Sequence, residues 1–195
     1  MMAARTVAKK MKKLTGRLSR IGIILLVFYF ALFAWSRQVG AVEVVAASEV
    51  EYQLPYPGML PDNPLYFLKV ARDQIVGALL TDQAQKSFYF LLLADKRLGA
   101  GAALMESGKA DLAAATFLKG EEYFALAVDL AVAAENSGRD VSDLAAKLVV
   151  SGAKHSELLG TYLVKGSEKE TSDLAKAYQN NTDSRNRTIE LLLKK

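Results

Sequence analysis

All four prolines of this 195-residue chain, Pro55, Pro57, Pro61 and Pro64, fall within ten residues, and none follows them. Proline fixes φ and pushes the preceding residue toward extended geometry. The stretch YQLPYPGMLPDNPLYFLK from Tyr52 is therefore expected to be a stiff strap with a turn at Pro57-Gly58. Asn63 before Pro64 ends it with a helix start, because Asn caps well and Pro is best tolerated at the first helical position. Beyond that point no run alternates apolar and polar residues, and breakers stand only where helices can end. The fold class is all-α.

Five helices are predicted after the strap. The first runs from about Pro64 to Leu80. Thr81 or Asp82 caps a second that ends near Gly108, and a third fills about Ala110 to Ser137, closed by Gly138. A fourth runs from Asp140 or Val141 to about Gly166, and Ser167 with Glu170 forms a capping-box signature for a fifth that reaches the C-terminus. Short connections favour antiparallel neighbours. The second helix offers Phe88, Leu91, Leu98, Ala102 and Met105 to a core. The third offers an alanine-rich stripe, Ala113, Phe117, Gly120, Phe124, Ala127, Ala131 and Ala134, that lets a neighbour approach closely. Leu144, Leu148, His155, Leu159 and Tyr162 mark the fourth. In the fifth, Leu174, Tyr178, Ile189 and Leu192 flank a polar centre, NNTDSRNR, that is expected to hold weakly to the bundle.

Ahead of the strap lie sixteen uncharged residues, IGIILLVFYFALFAWS, between Arg20 and Arg37. As a helix they rise about 24 Å, short of a hydrocarbon core of about 30 Å, a gap that snorkelling by Arg20 and Arg37 can close. Residues 21–39 read as one transmembrane helix, with the lipid bilayer as its partner. Residues 1–20 form a basic cytoplasmic tail suited to anionic lipid, 40–63 a Pro-rich linker or strap, and 64–195 an extracytoplasmic bundle. A cleaved signal peptide is the rival reading, with small-residue sites ending at Ala41 or Ala47. The retained anchor is preferred because the run slightly exceeds the usual apolar region of such peptides. Either way the domain is exported.

The charge distribution agrees. Residues 1–37 carry eight basic groups and no acidic one, so a formal charge of +4 for the whole chain leaves −4 for residues 38–195. A mildly acidic body argues against a nucleic-acid partner. The absence of cysteine excludes a disulfide scaffold, a thiol nucleophile and a Cys-ligated zinc site.

Few residues invite chemistry. His155 is the only histidine, and an isolated near-core His is more often a packed, hydrogen-bonded residue than a ligand. The carboxylates Glu121-Glu122, Asp140 with Asp143, and Glu168, Glu170 and Asp173 lack the spacing of a calcium loop, and the first and last groups are expected on solvated helix faces. Asp95 differs, since it falls on the core stripe between Leu91 and Leu98. Its burial calls for a cation, for which Arg97, Lys69 and Arg72 are the candidates, and a structural ion pair is preferred over a functional acid. Phosphate loops, nucleophile elbows and paired catalytic carboxylates are absent, so no catalytic residue, metal or cofactor is expected. The strap's rings, Tyr52, Tyr56, Tyr66 and Phe67, could line a partner groove, or pack against the bundle instead.

The run LPYPGMLPDNPLYFLKVARDQIVGALL and then KSFYFLLLADKRL resembles the domain-of-unknown-function family 5667. The opening P-D-x-P-L-Y-x-L-K is carried by Pro61, Asp62, Pro64, Leu65, Tyr66, Leu68 and Lys69, and the A-D-K-R-L run by Ala94 to Leu98. The resemblance implies a bacterial exported helical domain, often behind one hydrophobic segment, and brings no catalytic residues with it. The turn ESGKADLAAATFLKGEEYF also has the look of a tetratricopeptide hairpin, with Gly108, Lys109 and Ala113 in place, though one hairpin makes no solenoid. The expected function is a membrane-tethered extracytoplasmic bundle that acts by binding, with an envelope protein as its partner. An exported enzyme acting on cell-envelope polymer is the alternative, to be revived by Asp95 aligned with a Tyr and a carboxylate in a pocket.

Overall fold

The computed structural model describes residues 50–165 and 168–193. The transmembrane helix expected at residues 21–39, the basic tail, and the capping box at Ser167 lie outside the described residues. Among the described residues there are five helices and no strand. They are α1 (Tyr66–Leu79), α2 (Gln83–Glu106), α3 (Ala110–Asn136), α4 (Ser142–Lys165) and α5 (Glu168–Leu193). None of these is long and apolar enough to cross a membrane.

Local chemistry sets the ends. The Asn63 carboxamide accepts from the Leu65 amide at 2.9 Å, but a turn intervenes and α1 begins only at Tyr66. Asp82 caps α2 as expected, accepting from the Gln85 amide at 2.9 Å. α2 and α3 end in the same way. At the first, Gly108 has φ +74°, its amide reaches Met105 O, and the Lys109 amide reaches Leu104 O. At the second, Gly138 has φ +82°, its amide reaches Glu135 O, and the Arg139 amide reaches Ala134 O. Both are Schellman turns, which satisfy the last carbonyls and need a residue that tolerates positive φ.

Pairings along the helices fix their directions. Ser87 meets Ala127, and Gly101 meets Phe117, so α2 and α3 are antiparallel. Gly152 meets Arg185, and Gly160 faces Tyr178, so α4 and α5 are antiparallel too. α5 then lies beside α3 and runs parallel to it, as Glu121 bonds Asn181 and Asp129 bonds Arg187. The antiparallel expectation for helices joined by short connections thus holds for the two hairpins, while α3 and α5, which α4 separates in sequence, pack parallel.

All seven stripe residues of α3 are buried. The α2 stripe is shifted from the expected one. Leu91 and Leu98 are buried, together with Ser87, Ala94, Gly101 and Leu104; Ala102 and Met105 pack against the core partly buried, whereas Phe88 is exposed. Small residues let the hairpin close: an added Cβ at Gly101 would lie 2.5 Å from the Phe117 ring, and one at Gly120 would lie 2.6 Å from Leu98. The α5 expectation needs the largest correction. Tyr178, Ile189 and Leu192 are exposed, and the buried stripe is Leu174, Ala177, Asn181, Ser184, Thr188 and Leu191. Its steps alternate three and four, so Asn181 and Ser184 of the polar centre face inward, while Asp183 and Asn186 stay exposed.

Candidate functional site

The core is apolar in two parts. One gathers Leu91, Phe124, Val128, Leu144 and Leu148, and the other Leu98, Phe117, Leu159 and Leu174. Along each helix the residues between these groups are polar, Asp95 on α2, Glu121 on α3, Ser151 and His155 on α4 and Asn181 on α5, and all five are buried. They form one layer.

His155 is its centre. Nε2 stands 2.9 Å from Asp95 Oδ1, and Nδ1 stands 2.9 Å from Glu121 Oε1. The Asp95 carboxylate also accepts from the Ser151 hydroxyl at 2.6 Å and, on its other oxygen, from the Tyr52 hydroxyl at 2.6 Å. The second Glu121 oxygen accepts from Asn181 Nδ2 at 3.0 Å. Every one of these buried charges is therefore held by charge-assisted hydrogen bonds from other elements. The strap and four helices meet here.

Electrostatics follow from that geometry. Burial pulls the imidazole toward neutrality, but the Glu121 charge and the Asp95 and Glu121 hydrogen bonds outweigh it and raise the His155 pKa from 6.5 to about 9. His155 is thus an imidazolium with both N–H groups donated. Burial raises the Asp95 carboxyl, yet His155, Ser151 and Tyr52 overcome this and hold it below the usual carboxylate value. The Tyr52 phenol is raised, first by burial and then by donating to Asp95.

The sequence foresaw Asp95 as an ion-paired core residue but named the wrong cations. Lys69 donates instead to the carbonyls of Pro57 and Met59, Arg72 pairs with Asp73, and Arg97 lies over the rings of Tyr66 and Tyr123 at 5.0 and 5.6 Å. The partner is His155. Glu121, expected on a solvated face, is fully buried, while its neighbour Glu122 is exposed and pairs with Lys119. The signal was present: Glu121 follows Phe117 by four and precedes Phe124 by three, which is a core position.

The strap's aromatic residues separate. Tyr52 turns inward to Asp95, and the Tyr66 ring carries Arg97 on its face, whereas Tyr56 and Phe67 stay exposed. Further contacts fasten the strap, from the Val50 amide to Glu157 at 2.9 Å and from Lys109 to Asp62 at 2.5 Å. Leu54 packs against the second apolar cluster.

Ser151, His155 and Asp95 have the residue types of an acyl-transfer triad without its geometry. Ser151 donates to the carboxylate, at 2.6 Å, and stands 3.4 Å from the imidazole, both of whose nitrogens are occupied by carboxylates. A general base needs a free ring nitrogen facing the nucleophile, and a reaction needs room for substrate. Asp95 is indeed aligned with a tyrosine and a carboxylate, but in a sealed layer. The clefts around Lys69, Tyr123 and Asp129 are lined by none of its members. Among the described residues no group of three or more His, Cys, Asp or Glu is placed to hold a metal ion.

Among known proteins, a family model matches residues 58–191, and its description is a domain of unknown function, DUF5667. No curated protein and no solved structure matches the chain.

Proposed function

The chain belongs to the DUF5667 family, and from that premise we propose that it is a membrane-tethered, extracytoplasmic helical bundle that works by binding, without catalysis. One observation carries the non-catalytic part. The residues best suited to chemistry are all engaged with one another in a closed layer, with both imidazole nitrogens held by carboxylates at 2.9 Å. A network of this kind joins elements and fixes their register.

The tether rests on the sequence. The apolar run 21–36 lies between basic residues, and seven of the eight basic groups of residues 1–37 precede it. Binding is supported by the exposed large apolar residues of the strap and α1, among them Tyr56, Met59, Phe67, Ile75 and Leu79.

Single-cysteine topology mapping tests the address cleanly, because the chain has no cysteine of its own. Cysteine at Glu122 is expected to react with a membrane-impermeant maleimide on intact cells, and cysteine at Lys10 only after permeabilisation. Labelling of Glu122→Cys only after permeabilisation would place the bundle inside and end this reading. Mild-detergent purification of the full chain is then expected to bring down an envelope protein in fixed proportion.

A further inference from the structure

α1 packs one face on the bundle and leaves a second, apolar face outside. Its inner face sets buried Asp73 and Gly77 against α2, where the Tyr89 hydroxyl donates to Asp73 O and the Phe90 ring covers Gly77. Its outer face repeats every fourth residue, Phe67, Ala71, Ile75 and Leu79. The three large members are 62%, 61% and 74% exposed. From Phe67 to Leu79 this stripe runs about 18 Å along the helix axis.

Beside the first turn of that stripe is a cleft of about 410 Å³, walled by Tyr56, Pro57, Met59 and Leu68 and by three cations, Lys69, Arg72 and Lys96. No carboxylate lines it. Burial depresses the Lys69 ammonium, Asp73 partly restores it, and repulsion from Lys96 and Arg72 depresses it further, while Arg72 pairs with Asp73 at 2.6 Å and Lys69 donates to the Pro57 and Met59 carbonyls. An anion set among them relieves that repulsion. This cationic cleft sits on a domain whose net charge over residues 38–195 is −4. An anionic surface would therefore attract this face and repel the body as a whole.

We propose that the outer face of α1 is a docking surface for an anionic lipid bilayer, with Phe67, Ile75 and Leu79 entering the interfacial layer and Lys69, Arg72 and Lys96 meeting lipid phosphates. An apolar stripe edged by Lys and Arg is the pattern of a helix that lies in the membrane plane. A second copy fits less well, because pairing two such stripes face to face brings two sets of cations together. The docking rests on the tether proposed above. Twelve residues separate Arg37 from Val50 and span about 40 Å when extended, so a chain anchored by residues 21–36 keeps the bundle within that reach of the bilayer, at high effective concentration. Weak interfacial affinity is then sufficient.

The test uses the full chain in phosphatidylcholine vesicles with and without phosphatidylglycerol, with a polarity-sensitive fluorophore on a single cysteine at Ile75 or, as a control, at Glu122. Flotation with the vesicles, resistant to high salt and independent of lipid charge, reports the tether. With phosphatidylglycerol, the Ile75 label is expected to shift its emission to the blue and to be quenched by lipid-borne nitroxide, while the Glu122 label stays aqueous. Both changes should shrink in pure phosphatidylcholine and in the Lys96→Glu variant, a partly exposed position at which circular dichroism should show the fold intact. A chain that floats with the Ile75 label as aqueous as the Glu122 label overturns the docking and leaves the tether standing. An Ile75 label shielded from water but not quenched from the lipid shows that protein covers the stripe, which also overturns it. A chain that does not float ends both.

Discussion

Replacing His155 by Gln removes the one cation of the buried layer and leaves Asp95 and Glu121 facing each other without it. The cost follows by two routes. Breaking a buried ion pair by deleting one partner typically destabilises by about 3–5 kcal/mol, because the remaining charge is neither solvated nor paired. Independently, a pKa raised from 6.5 to about 9 on folding corresponds to about 3 kcal/mol of stability. Because the folded value is the higher one, that stability is fully present below 6.5 and is lost as pH rises through about 9. Asp95 has the opposite sign: its depressed value supplies stability above the usual carboxylate pKa that is lost as pH falls through the folded value. A domain with about 5–15 kcal/mol in total should feel either loss. Urea unfolding of the full chain in mild detergent, followed by circular dichroism from neutral to alkaline pH, measures both. Wild type should weaken by about 3 kcal/mol relative to the His155→Gln variant over that range, since other titrating groups cancel in the difference. Adding Glu121→Gln to the variant should restore part of the stability by removing the repulsion. Parallel pH profiles for wild type and variant, or a cost under about 1 kcal/mol, would refute the reasoning.

The Tyr52→Phe variant should lose about 1.5–3 kcal/mol by removing a donor from the Asp95 carboxylate, and hydrogen exchange should quicken at the strap amides that follow. Gly101→Ala should cost about 1–3 kcal/mol by thermal unfolding, since the new methyl must displace the buried Phe117 ring. A neutral result there would mean that α2 and α3 are less tightly apposed. Asp82→Ala should cost about 1 kcal/mol, as it removes the N-cap of α2 together with its pairing to Arg139. Phe124→Asp should abolish cooperative unfolding, because it places a charge at a position with no solvent access.

The α3 stripe was legible because its members are apolar or small and recur at three and four. The same holds for the helix ends at Gly108 and Gly138, where a residue tolerant of positive φ was required. What escaped was the polar half of the core. Asn181, Ser184 and Thr188 keep the heptad positions of α5, but hydrophobicity assigns them to solvent and points to the apolar residues beside them. Glu121 escaped for the same reason, being read with Glu122 as a pair when only one of two adjacent helix positions can face inward. His155 and Asp95 both read as core residues from their spacing, but sequence proximity favours Arg and Lys as the partners of Asp95 over a histidine sixty residues away. The charged residues at core positions on three helices, Asp95, Glu121 and His155, instead satisfy one another. Nor could the sequence divide the strap's aromatic residues, because whether a tyrosine turns in toward Asp95, as Tyr52 does, or out, as Tyr56 does, depends on where the strap crosses α2.

Because His155 is the only histidine, ¹⁵N NMR of the histidine-labelled full chain observes the centre of the layer without assignment. A closed, ion-paired layer requires an imidazolium, protonated at both ring nitrogens at pH values between 6.5 and about 9 and deprotonating only near the upper value. A neutral imidazole in that range, with one free nitrogen titrating near 6.5, would contradict the account and return His155 to the list of available bases.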